Sequence, residues 1–410
     1  MTTISYVDPR PHLASHDDQL GQDRMARAFL RTLGRLAPGS VVGLHGAPGS
    51  GKDAFLRHCA WLLHNQRKEL NEGGVSLGAW SWYNPWLYAK HGNILSGLVA
   101  TVAQSSSAPN AMDRARDIIQ QINRMHFGEA MPEHAGTGIN RGDVNPVLRV
   151  RESFKQLLDQ LGQEARGRTV VLIEDVDSLR PSARLLLLEG LRILVTGQHD
   201  ITFVLSVGRQ SALEAIRVRE GRDLGPTAAR HCLDELLDLA VTVPSTDLRH
   251  LGELMRSHLA GHEPLLERAF GQDAIAALAA AVAHRSLGQP RVLERLTGRI
   301  LLLAQFAIDT RNQRELSEAQ WAWILISERW PEFRHFMLRG GQDRWGHLRQ
   351  ALRSLDPEGE PGSAETPTEM LEWLERDLIF SDYLHIYADE FEREADAVYW
   401  LETLQLACGL

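Results

Sequence analysis

Residues 46–53 read Gly-Ala-Pro-Gly-Ser-Gly-Lys-Asp, with Gly46, Gly51 and Lys52 at the spacing Gly-x4-Gly-Lys. Glycines in such a turn let backbone N–H groups crowd around phosphate oxygens, and the lysine reaches the outer phosphates. The residues expected to touch a nucleotide are therefore Gly46, Ala47, Pro48, Gly49, Ser50, Gly51, Lys52, Asp53 and Ala54. A chance lysine is a poor explanation, because the only others are Lys68, Lys90 and Lys155 among 44 lysines plus arginines. Position 53 breaks the pattern: a serine or threonine hydroxyl is expected there, and this chain has Asp53.

A second set of oxygen donors closes the apolar run Val170-Val171-Leu172-Ile173, which passes directly into Glu174-Asp175-Val176-Asp177. A carboxylate at the C-terminal end of a buried parallel strand lies in the crevice where α/β proteins hold their ligands. By position Glu174 holds Mg2+, with Asp53 as a second oxygen ligand, and Asp175 orients or deprotonates an attacking water. Lys52, Glu174 and Asp175 are thus the expected catalytic residues, with ATP and Mg2+ as cofactors. Asp53 admits two readings. It is a hard ligand replacing the hydroxyl, or it is a brake whose charge beside the phosphates costs about a few kcal/mol when no cation is bound.

These side chains need a scaffold, and the hydrophobic pattern supplies one. Val41 to His45 reads as a buried strand, and Ala54 to Leu63 as a helix whose N-terminus points at the phosphates. An amphipathic helix over Asp18–Leu36 precedes them, and a strand over Val75–Tyr83 and a helix over 92–104 follow. Residues 105–146 are polar and read as a surface insertion with one helical stretch, Met112 to Met125. A helix over 147–165, a strand over 169–173, a helix over 185–196 and a strand over 201–207 complete the alternation. This predicts an α/β domain, a parallel sheet sandwiched by helices, over residues 18–245, after a lead of residues 1–17. Beyond Asp247 only helical periodicity remains, over Leu248–Ala260, Leu265–His284, Pro290–Thr310 and Ser317–Leu338, giving a helical lid domain over 246–345. Residues 346–410 read as a linker, rich in Pro, Gly, Glu and Ser over Asp356–Pro367, and a C-terminal helical segment. Trp321, Trp323 and Trp330 are expected in the core.

Composition limits the function. Hydrophobic content of 43% and charged content of 24% suit a soluble globular chain. Cys59, Cys232 and Cys408 are scattered, which argues against a disulfide framework or zinc site and for a reducing cytoplasm. The N-terminal residues lack a signal-peptide pattern, and no apolar run approaches a bilayer span. A net charge of −9 does not indicate nucleic acid, which leaves a local arginine patch as the route to it.

Further stretches carry a family likeness. They are Leu20-Gly21 ahead of the loop, Tyr83-Asn84-Pro85-Trp86-Leu87-Tyr88 after the second strand, the Glu174–Asp177 acids, Phe203 to Ile216, and Gly288-Gln289-Pro290-Arg291, with an echo in Arg329 to Phe333. Together with the loop these resemble the KAP group of P-loop NTPases from residue 18 to about 340. The resemblance implies a soluble bacterial NTPase module, often tied to phage exclusion or defence, that acts with partner proteins. It also brings Asn84 and Arg291 toward the nucleotide, Asn84 at the attacking water or γ-phosphate and Arg291 as the residue reporting lid closure. Arg180, Arg184 and Arg209 are candidates for a finger reaching a neighbouring subunit of a homo-oligomer. Four positions depart from the family pattern: Asp53, Glu174 in place of Asp, Ser178 in place of Arg, and Gly208 where Asp is frequent. A nucleotide-driven switch is the first expectation, and a non-hydrolysing nucleotide-binding scaffold is the second.

Overall fold

The computed structural model describes residues 21–46, 49–72, 76–89, 94–106, 108, 110–126, 146–165, 167–195, 200–218, 225–243, 248–282, 290–339, 343–355, 368–376 and 378–410. Two compact units divide it, Gln22–Pro244 and Ser245–Leu410, with Gly21 grouped with the second.

In the first unit α1 (Asp23–Leu33) leads into β1 (Ser40–His45), α2 (Lys52–Asn65), α3 (Arg67–Leu70) and β2 (Leu77–Tyr83). Then come α4 (Trp86–Ala89), α5 (Ile94–Gln104), α6 (Ala111–His126), α7 (Pro146–Ala165) and β3 (Arg168–Ile173). A short 3-10 turn (Val176–Ser178), α8 (Pro181–Val195), β4 (Ile201–Ser206), α9 (Arg209–Val218), α10 (Pro226–Leu236) and β5 (Leu239–Thr242) complete it. The five strands form one sheet in the order β2-β3-β4-β1-β5, and every neighbouring pair is parallel.

The period of two along each strand divides the core between the sheet's faces. Val171 and Ile173 of β3 join Val41 of β1 and Phe203 and Leu205 of β4 in a core with helices α5 to α9. Val170 and Leu172 join Val42, Leu44 and Val204 in a second core with Phe29 and Leu30 of α1 and Phe55 and Cys59 of α2. Both faces of the central strands are buried, which explains their unbroken apolar runs.

The polar stretch from residue 105 is less superficial than its composition suggests. Ala111, Ala115, Ile118 and Ile122 of α6 pack into the first of these cores, at the period that puts one helix stripe inward. Residues 127–145 lie outside the described residues, as do 1–20.

The second unit contains α11 (Leu248–Leu259), α12 (Glu263–Phe270), α13 (Ala274–Val282), α14 (Pro290–Asp309) and α15 (Glu318–Arg329). They are followed by α16 (Pro331–Arg339), α17 (Asp343–Leu355), α18 (Thr368–Arg376), α19 (Leu378–Arg393) and α20 (Ala395–Ala407). Two helices expected as continuous are divided by backbone chemistry. Gly271 takes φ +95° after α12, a conformation that side chains disfavour. Pro331 forces Trp330 out of helical geometry, to φ −131° and ψ 65°, between α15 and α16. Ser317 and Gln320 close α15 with a reciprocal capping box. One hydrophobic core runs from Leu251 to Leu404, so the helices on either side of the 356–367 stretch pack together. Trp321, Trp323 and Trp330 are buried in that core, as expected.

Candidate functional site

β1 ends at His45, whose Nδ1 lies 2.7 Å from the Val207 carbonyl oxygen at the end of β4. The chain then turns. Gly49 and Gly51 adopt φ +79° and +90°, and α2 begins at Lys52 with Gly51 as its N-cap. A Cβ on Gly46 would lie 2.4 Å from Ser50 Oγ and 3.2 Å from Lys52 Cγ, so only glycine leaves that space open. Among the described residues Ser50 Oγ is buried without a hydrogen-bond partner. A concave turn with an orphaned hydroxyl, a buried lysine and a helix N-terminus fits a phosphate group. Ala54 stands half-buried in the same first helical turn, while Ala47 and Pro48 lie outside the described residues.

Lys52 is buried. Its ammonium donates to the Gly46 carbonyl at 3.0 Å and lies 3.1 Å from Asp177 Oδ2. Asp177 also accepts the Gly208 N–H, at 2.8 Å on Oδ1 and 3.0 Å on Oδ2. Sequence reasoning gave Asp177 no role of its own. The signal was there, since a third acid three residues after Glu174 is carried by the 3-10 turn onto the side of the loop. Gly208 likewise gains a reason, because its Cβ would press within 3.3 Å of both Asp177 carboxylate oxygens.

The remaining acids are each held by donors. Asp53 Oδ1 accepts the Ser206 hydroxyl at 2.7 Å and the Asp175 N–H at 3.3 Å. Glu174, largely buried, accepts from Trp82 Nε1 and Asn84 Nδ2, both at 3.0 Å on Oε1. Arg57 Nη2 lies 3.6 Å from its Oε2. Asp175 is one of two non-glycine residues at positive φ (53°) among the described residues, and its carboxylate accepts the Ser178 hydroxyl. Such backbone strain is frequent at functional sites.

Asn84 thus bonds Glu174 directly, and its Oδ1 accepts the Trp86 N–H at 3.0 Å. Trp82 on β2 is also a donor to Glu174, and Trp86 is 48% exposed. Of the finger candidates, Arg184 is buried and donates to the carbonyls of Val176, Asp177, Leu179 and Ser211. It braces the acidic turn and has no reach outward. Arg180 and Arg209 are exposed. Arg291 is an exposed residue of the first turn of α14, on the helical unit.

Among the described residues no three or more His, Cys, Asp or Glu side chains gather as a metal cage. Separate carboxylates (Asp53 and Glu174) fit a different arrangement, a hard cation that keeps waters and shares phosphate oxygens.

A parallel sheet, a glycine turn after β1 that opens a helix, and acids at the end of β3, one strand removed across β4, define a P-loop nucleotide-binding domain. The profile described as the KAP family P-loop domain matches residues 23–306, and the chain belongs to that family. No curated protein matches it. Among solved structures the chain is similar to the Orc1 protein of Aeropyrum pernix in complex with DNA, at 16% identity and a TM-score of 0.35, over 95% of this chain and 84% of that one. It is also similar to Drosophila ORC bound to DNA, at 13% identity and a TM-score of 0.39, over 95% and 83%. A third likeness is to a RuvB variant of Thermotoga maritima, at 14% identity and a TM-score of 0.31, over 90% and 84%. No helix among the described residues is long and apolar enough to cross a membrane.

Proposed function

We propose that the chain is an ATPase that works as a nucleotide-driven conformational switch with partner proteins of a bacterial system of the defence type. The observation that carries the reading is Lys52, buried at the N-terminus of α2 and held between the Gly46 carbonyl and Asp177, with Glu174 and Asp175 just after the end of β3. The loop amides and Lys52 bind the phosphates. Asp53 and Glu174 supply oxygens to Mg2+, which when bound neutralises phosphate charge. Asp175 accepts the proton of the attacking water, and Trp82 and Asn84 keep Glu174 in place.

The test is phosphate release by the purified full chain with Mg-ATP. Lys52→Ala and Asp175→Ala are each expected to lower turnover by about a hundredfold or more. A rate that both variants leave unchanged would rule the assignment out. A second reading, a scaffold that binds nucleotide without turnover, draws support from Asp53 standing in place of a hydroxyl. Asp53→Thr separates the two, since a gain in turnover would mark the aspartate as a brake.

A further inference from the structure

β4 runs between β1 and β3, so its last residue, Ser206, stands between the phosphate loop and the acidic strand end. Ser206 pairs in register with Leu44, next to the end of β1, and is 1% exposed. Its Oγ donates to Asp53 Oδ1 at 2.7 Å, and the Asp175 N–H converges on the same oxygen at 3.3 Å. A hydroxyl and a carboxylate have in effect traded places here. The loop presents the anion, and the strand across from it presents the hydroxyl.

We infer that Ser206 is a positioning residue for cation binding: its hydroxyl fixes the Asp53 carboxylate and so makes Asp53 a ligand for a hard divalent cation instead of a charge opposing phosphate. The inference rests on the nucleotide-site reading above. Two donors on one carboxylate oxygen fix the plane of the group. Among the described residues Asp53 Oδ2 takes no hydrogen bond, which makes it the oxygen offered to an ion. An aspartate released from Ser206 could rotate toward the phosphates, where its charge is unfavourable. Ser206 therefore acts through Asp53, and its effect must vanish when Asp53 carries no charge.

The experiment measures binding of a fluorescent non-hydrolysable ATP analogue to the full chain, with Mg2+ and with EDTA. It compares wild type, Ser206→Ala, Asp53→Asn and the double variant. Ser206→Ala is expected to weaken Mg2+-dependent binding by about thirtyfold, the size of a lost hydrogen bond to a charged group, and to change EDTA binding by less than about twofold. Asp53→Asn should flatten the Mg2+ dependence, and adding Ser206→Ala to it should do nothing more. Equal weakening with and without Mg2+, or an equal effect in both backgrounds, would show that Ser206 only supports the strand and would overturn the inference. Thermal melts confirm folding. If Ser206→Ala melts early, Ser206→Cys, a near-isosteric weaker donor, should give an intermediate Mg2+ response, and a wild-type response from it would likewise overturn the inference. A wild-type chain that binds no nucleotide under either condition overturns the site reading itself, a result distinct from intact binding without Ser206 coupling.

Discussion

Asp177→Asn isolates the charge that faces the loop lysine. The asparagine keeps a carbonyl oxygen for the Gly208 N–H, which now sits 2.8 Å from Oδ1, and removes only the anion. Lys52 and Asp177 lie 3.1 Å apart, with side chains 6% and 23% exposed. At an effective dielectric near 20 their gross attraction is about 5 kcal/mol, most of which offsets the desolvation of both groups. A net value of about 2 kcal/mol follows from measured hydrogen bonds to charged partners. The ligand-free protein should therefore lose about 4–8 °C in melting temperature. Nucleotide affinity should move the other way. Lys52 must exchange Asp177 for a phosphate, so removing the competitor strengthens binding by at most about thirtyfold, the equivalent of the same 2 kcal/mol. Thermal unfolding with and without Mg-ATP, paired with a direct titration, measures both effects. A variant that binds nucleotide as weakly as Lys52→Ala would refute the competition, because Asp177 would then be supporting the bound state.

Two further outcomes test the framework. In the helical unit Arg334 makes a bidentate pair with the buried Glu402, with Nη2 2.8 Å and Nε 2.9 Å from its oxygens, and Arg334→Ala leaves that carboxylate without its counter-charge, with Trp323 Nε1 as its remaining donor, at a cost of about 3 kcal/mol; chemical denaturation should show it, with the apolar double variant Arg334→Met/Glu402→Leu recovering part of the loss, less what the orphaned Trp323 N–H costs. Asp23 is desolvated, which raises its pKa, but hydrogen bonds and charge from Arg27 and His58 outweigh this and hold it below 3.8; its stabilisation is complete above that value and disappears as pH falls through the lower folded value, so the melting-temperature gap between wild type and Asp23→Asn should close below about pH 4, and remain small throughout because the side chain is 40% exposed.

The sheet was readable because its central strands are buried on both faces, which leaves runs such as Val170 to Ile173 with no polar interruption. Gly46, Gly51 and Lys52 were readable because phosphate chemistry constrains residue type at a fixed local spacing. The partners of those residues were not. Ser206 lies 153 residues from Asp53, and nothing local distinguishes it from any serine closing a strand; only the placement of β4 between β1 and β3 brings it to the loop. Arg184 misled for the opposite reason: an arginine after an acidic strand end looks free to reach outward, yet the 3-10 turn presents carbonyls that satisfy it at once. The same turn explains why Glu174 and Asp177 differ although they are three residues apart. Glu174 faces β2, where Trp82 and Asn84 donate to it, and Asp177 swings to the other side, onto Lys52 and Gly208. Asp53 is thus one of several acids that each have an assigned counterpart, and its departure from the hydroxyl rule is matched by a hydroxyl on the neighbouring strand. The Ser206→Ala and Asp53→Asn variants test that pairing, because a relocated cation ligand and a brake give opposite responses to Mg2+.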